Sequence, residues 1–331
     1  MKKIKDVWKR LASTSKTGMS GANGDLNPDV QTLLNDANIG DPVAQNSLGL
    51  MYVTGRGVSK NADEAIKWFH EAAEQGFAAA QYNLARVYDK GEGVTENFEE
   101  AARWYLRAAK QEHSNAQYNL GFLYANGLGL SKDSAEAVKW YRRAAEQGNA
   151  PAQYNLGGMI DYGLGVPKND DEAFKWYFEA AQQGHAGAQH SVGVCYNEGS
   201  GVTQSYEEAS VWYQRAAEQG QVNSQFNMGV IYERGRGVDQ NSNEALRWYR
   251  IAAEKGHTNS QHNLGNLYFH GIGVPKNLRK AYSWFLVAAT DGNNFAKDRM
   301  EKLRMQMTPQ QIAEAETLAN KCINSGYKDH D

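Results

Sequence analysis

Residues 114–149 read SNAQYNLGFLYANGLGLSKDSAEAVKWYRRAAEQGN, and the same frame recurs in register along most of the chain. Its Trp140 is one of seven tryptophans, Trp68, Trp104, Trp140, Trp176, Trp212, Trp248 and Trp284, each 36 residues from the next. A period this regular marks a repeat architecture in which one supersecondary unit is stacked many times. Around each Trp the pair AA follows four residues on, from Ala72-Ala73 to Ala288-Ala289, and a GxG precedes it, from Gly55/Gly57 to Gly271/Gly273. Further upstream stand Leu, Gly and Tyr at i, i+1 and i+4, as in Leu48-Gly49-Tyr52, Leu120-Gly121-Tyr124 and Leu264-Gly265-Tyr268; Ile160 takes the Tyr position in repeat four.

Two helices fit in each unit. Ala116, Leu120 and Tyr124 fall on one stripe of helix A, and the spacing assigns Gly121 to close approach by a neighbouring backbone. After the GxG turn, Asn61, Asn97, Asp133, Asn169, Ser205 and Asn241 are each followed three residues later by Glu, the signature of a capping box that starts helix B. In the seventh unit Asn277 is followed by Lys280, which leaves half a box. Helix B puts Ala137, Trp140 and Ala144 on one face and ends at a glycine such as Gly148; Glu112 replaces that glycine in repeat two, a local weakness.

The AxxxLGxxYxxGxGV…A..W…AA..G pattern resembles the Sel1-like repeat family, relatives of the tetratricopeptide repeat, from Pro42 to Asn293. The resemblance implies an all-α, right-handed solenoid of seven antiparallel helix pairs, 42–77, 78–113, 114–149, 150–185, 186–221, 222–257 and 258–293. Such a unit cannot bury its own stripe alone, and stacking completes the core. The flanks read as a basic arm over 1–24, an N-terminal capping helix within 25–41, C-terminal capping helices within 294–325, and a tail over 326–331. Thr32 stands where a Trp is due in the first cap, and Thr308-Pro309-Gln310-Gln311 supplies an N-cap, proline at N1 and Gln at N3 for a last helix ending near Cys322.

Composition narrows the function. The 331 residues are 41% hydrophobic and 22% charged with a net charge of −3, which is globular and offers no footprint for nucleic acid. No apolar run approaches the roughly 18 residues of a membrane span. Cys195 and Cys322 form no CxxC pair. Without a secretory leader or span the expected location is cytoplasmic, in a chain expected to be monomeric and to need no cofactor or metal.

Chemistry-bearing patterns are few. The GxG turns follow helices and lack the strand and third glycine of a dinucleotide loop. His185/His190 and His257/His262 are HxxxxH pairs, but the first His of each sits at a turn and the second enters helix A, so they need not converge. Cys195 has no neighbouring base and reads as a small core residue. No catalytic constellation is found.

What varies is the side of helix A turned away from the Leu stripe. It carries Tyr82, Tyr118, Tyr154, His190, Phe226 and His262; then, four residues on, Arg86, Phe122, Val194, Val230 and Asn266; then Asp89, Asp161, Asn197, Glu233 and Phe269. By resemblance to tetratricopeptide arrays this side lines a concave groove, whose aromatic row alternatively serves packing between A helices. The sequence thus reads as a non-catalytic adaptor or scaffold holding a protein or peptide partner, with a glycan- or peptidoglycan-binding module as an alternative and a cell-wall hydrolase as a remoter one. Ile4, Val7, Trp8 and Leu11 in the arm form an apolar stripe beside six Lys/Arg, a pattern for a disordered leader, a docking segment or contact with anionic lipid.

Overall fold

The computed structural model describes residues 28–327, so the arm and its amphipathic stripe lie outside the described residues. Seventeen helices and no strand are found among the described residues. They fall into two compact units that divide between Lys168 and Asn169.

Unit 1 begins with the capping helix α1 (Pro28–Asn38) and continues through the pairs α2/α3 (Pro42–Thr54, Ala62–Glu74), α4/α5 (Ala78–Lys90, Phe98–Ala109) and α6/α7 (Ser114–Asn126, Ser134–Glu146) to α8 (Ala150–Asp161). Unit 2 begins with α9 (Asp170–Gln182) and adds α10/α11 (Ala186–Glu198, Tyr206–Glu218), α12/α13 (Val222–Arg234, Ser242–Ala253) and α14/α15 (Thr258–His270, Leu278–Thr290). Two further helices, α16 (Asn294–Arg304) and α17 (Pro309–Asn324), close it. Each unit is a segment of solenoid with helices packed on their sequence neighbours, except that α17 folds back past α16 to pack on α15.

The pairs are antiparallel because the short turn folds one helix back on the other. Asp133 N–H donates to the Tyr124 carbonyl, while Gly121, about one turn earlier in helix A, faces Tyr141, about two turns further along helix B. A Cβ at Gly121 would lie 2.8 Å from the Tyr141 ring, so the glycine makes room for the aromatic residue after Trp140 and not, as its spacing suggests, for a backbone. Gly193 faces Tyr213, Gly229 faces Tyr249 and Gly265 faces Phe285 in the same way. Close backbone approach occurs instead at the second glycine of GxG. At Gly129, φ +65°, an added Cβ would meet the Phe98 carbonyl at the start of the preceding repeat's helix B.

The seven tryptophans are buried. In unit 1 the Arg143 guanidinium lies 5.0 Å above Trp140, and in unit 2 Phe178 meets Trp212 edge-on at 5.5 Å. Repeat-to-repeat packing therefore occupies them.

The capping signature is half realised. The side chains of Asn61, Asn97, Asp133, Asn169, Ser205, Asn241 and Asn277 each accept from the N3 backbone N–H. The reciprocal bond fails for a topological reason. Tyr52, Tyr88, Tyr124, Tyr196, Tyr232 and Tyr268, near the end of helix A, take the N-cap N–H on their carbonyls, so the Glu is released. Glu136 pairs with Lys139 instead, and Glu244 with Arg247. A complete capping box forms at Thr308 and Gln311, in a helix that runs on to Asn324, beyond the expected end near Cys322.

A row of glutamines ties neighbouring repeats. Gln45, Gln81, Gln117 and Gln153 in unit 1, and Gln189, Gln225 and Gln261 in unit 2, donate to the last-turn carbonyl of the preceding helix, as Gln117 does to Ala109 at 3.1 Å. Those carbonyls are the orphans that a helix end leaves. Gln75, Gln111, Gln147 and Gln219 then donate to the Oε1 atoms of Gln45, Gln81, Gln117 and Gln189 at 2.7–2.8 Å.

Candidate functional site

The A-helix face has three rows, and the structure treats them differently. Its aromatic row is only half exposed, and five of its rings lie on the aromatic residue that follows Trp in helix B. Tyr82 meets Tyr105 at 6.0 Å and Tyr118 meets Tyr141 at 5.9 Å in unit 1; His190 meets Tyr213, Phe226 meets Tyr249 and His262 meets Phe285 in unit 2. Tyr82 also stacks on His113 at 4.6 Å, and Phe226 on His257 at 4.7 Å. Tyr154 is half-buried like its counterparts. Tyr82, Tyr118, His190, Phe226 and His262 are therefore not turned away from the packed face, as their helical angle suggests, but lie against helix B of their own repeat, with Tyr82 and Phe226 also against the next N-cap.

The third row is partly absorbed as well. Tyr249 donates its hydroxyl to Glu233 at 2.6 Å and Tyr105 to Asp89 at 3.3 Å, each in helix A of the same repeat. Burial pushes both phenols far up, so they act as neutral donors that tie helix B to helix A of the same repeat. Asp161 sits 3.8 Å from Lys168, the Asn197 carbonyl accepts from Gln204, and Phe269 lies beneath the Lys276 ammonium at 5.5 Å.

The middle row is what remains open. Phe122 is 43% exposed, and Arg86, one repeat earlier, is exposed with its guanidinium 5.9 Å from the Tyr82 ring. In unit 2 the same position carries Val194, Val230 and Asn266, all half-buried. Unit 1 thus shows an aromatic ring and a cation to solvent on a rigid helical wall, a combination suited to anchoring a partner side chain.

The histidine pairs have separate tasks. His185 and His257 are N-caps that accept the Ala188 and Ser260 N–H groups on Nδ1, and His113 does the same for Ala116. His190 bonds Ser224 across the repeat boundary at 2.8 Å, and His262 bonds Asn266 at 2.8 Å. Desolvation pushes all five imidazoles below their ordinary value. No group of three or more potential metal ligands occurs among the described residues. Cys195 is buried in α10.

The Sel1 repeat model matches seven consecutive segments, residues 42–77, 78–113, 114–149, 150–185, 186–221, 222–257 and 258–293. The chain belongs to the Sel1 repeat family. A solved Sel1 repeat protein from Oxalobacter formigenes is 35% identical with a TM-score of 0.62, covering 75% of this chain and 96% of that one. A protective antigen of uropathogenic Escherichia coli strains, displaying an SLR fold, is 27% identical with a TM-score of 0.47, covering 98% of this chain and 85% of that one. No curated protein matches the chain.

Sel1 repeats and their tetratricopeptide-like relatives commonly form protein-interaction scaffolds and are generally non-catalytic. No helix among the described residues is long and apolar enough to cross a membrane. The signal that separates open from packed positions in these Sel1 repeats was present in the sequence as residue variation. The aromatic row is Tyr, His or Phe wherever it packs, whereas the middle row runs from Arg to Phe to Val to Asn.

Proposed function

We propose that this Sel1 protein is an adaptor whose A-helix faces hold a peptide segment of a protein partner, with no chemical step. The supporting observation is the exposed pair Arg86 and Phe122 at equivalent positions of successive repeats, on a frame whose other side chains are fixed by packing. A rigid, pre-formed wall loses little entropy on binding, and affinity concentrates in exposed aromatic and Arg anchors. The half-exposed edges of Tyr82, Tyr118 and Tyr154, with Asp89 and Asp161, border the pair in unit 1. His190, Val194, Asn197, Phe226, Val230, Glu233, His262, Asn266 and Phe269 form the corresponding face of unit 2. The partner is a protein or peptide rather than nucleic acid, consistent with the net charge of −3.

The test is selection of peptides from a display library on the purified full-length chain, followed by affinity measurement. Arg86→Ala/Phe122→Ala should weaken the selected peptides by about tenfold or more at unchanged helical circular dichroism. Retained affinity in that variant, with loss in the helix-B variant Arg103→Ala, would place binding on the other face and end the reading.

A further inference from the structure

The last helices of a solenoid ordinarily present a polar end to solvent. Here α16 does not. Phe295 is 78% exposed and Met305, at its C-terminus, 90% exposed.

The 36-residue register runs on into this helix. Asn293 caps α16 as Asn149 caps α8, and its side chain reaches Asn259 at 3.2 Å just as Asn149 reaches Asn115 at 3.0 Å in unit 1. By that register Lys302 continues the row Val194, Val230, Asn266, and Met305 continues Asn197, Glu233, Phe269. Arg299 falls beside His262, and its charge bears on that imidazole and helps to depress it.

Arg299 and Lys302 are both exposed and make no ion pair among the described residues, and they stand one helical turn apart. Asp298, one turn before Lys302, is not bonded to it, and Lys276 adds a third cation over Phe269. The buried Asn266 Oδ1 and His262 Nδ1 atoms beside them have no hydrogen-bond partner among the described residues. This end of unit 2 therefore gathers unpaired cations, exposed apolar side chains and unmet polar groups in one place.

Resting on the adaptor reading, we infer that the C-terminal end of the unit 2 face, formed by Phe269, Phe295, Arg299, Lys302 and Met305, receives an acidic, apolar peptide segment of the partner. Carboxylates meet Arg299 and Lys302, and the neighbouring apolar side chains cover Phe295 and Met305. Charge complementarity selects this occupant, since a basic or neutral apolar peptide would leave both cations desolvated and unpaired.

Two labelled, end-blocked peptides that differ only in charge, alternating Leu/Glu and alternating Leu/Gln, test this with the full-length chain by fluorescence anisotropy at low salt. The Leu/Glu peptide should bind about fivefold to tenfold more tightly, as expected for two partly exposed charge pairs. Arg299→Gln/Lys302→Gln should remove the preference, while Arg103→Ala on helix B of unit 1 should leave it. Binding should also raise the titration midpoint of His262 in proton NMR, because a carboxylate offsets the Arg299 charge.

Equal binding of the two peptides, or a preference that survives Arg299→Gln/Lys302→Gln, overturns the inference. So does a concentration-dependent dimer that Met305→Asp dissolves, which would give the patch to a second copy of the chain. Library peptides held through Arg86 and Phe122 with no charge preference here would refute this inference alone. A chain that selects no peptide would refute the adaptor reading itself.

Discussion

The Oε1 atom of Gln225 is buried without a hydrogen bond from the protein, and Lys255 stands thirty residues on, where Gln75, Gln111, Gln147 and Gln219 supply the donor to their own glutamine partners. Lys255 turns outward instead and donates to the Gly220 carbonyl at 3.2 Å. Gln261 repeats the defect, because Asp291 occupies its donor position and accepts from Tyr327. Lys255→Gln should supply the missing donor to Gln225 and raise stability by about 0.5–1.5 kcal/mol, read as a higher midpoint in urea. An unchanged or lower midpoint would show that the buried acceptor is satisfied in another way.

Glu112 adopts φ +59°, where Gly76, Gly148, Gly184, Gly220, Gly256 and Gly292 stand in the other repeats. The left-handed region strains a side chain bearing a Cβ, and the bond from Gln117 to the Glu112 carboxylate at 2.9 Å offsets only part of that strain. Glu112→Gly is expected to stabilise the chain by about 1 kcal/mol in equilibrium denaturation.

Trp140 is nearly inaccessible and lies in the cluster that joins α5, α6 and α7. Trp140→Ala should cost about 3–5 kcal/mol and broaden the unfolding transition, since each repeat leans on its neighbours. Thermal melting as in the parent chain, with binding lost, would mean that the ring serves a ligand and not the core.

Acid should loosen the stack through its histidine caps. His113, His185 and His257 accept backbone N–H groups on Nδ1, which requires the neutral ring, and burial holds each below the ordinary 6.5. Between the folded and unfolded values the unfolded chain binds more protons, so stability rises with pH. The contribution is complete above about 6.5 and is lost as pH falls below it. Replacing all three by Asn, the cap already used at Asn149 and Asn293, should make thermal midpoints between pH 7 and 5 less steep. The remaining slope belongs in part to His190 and His262, which burial also depresses.

The repeat, its two helices, their caps and the buried tryptophans were legible in the residues because each follows from local spacing: a period of 36, an N-cap before an apolar stripe, a glycine where the backbone must turn left-handed. Local spacing could not show that Tyr124 and its equivalents take the N-cap N–H and so dissolve the capping box, for that bond joins two helices. Nor could it show that Gly121 serves the Tyr141 ring, or that Tyr82, Tyr118 and Phe226 are wedged while Arg86 and Phe122 stay open. A helical wheel gives the angle of a side chain about its own axis, whereas exposure depends on which neighbouring helix arrives at that angle. The sequence by itself therefore determined the unit and its stacking; only the packing of one repeat on the next decided which side chains are left to meet a partner.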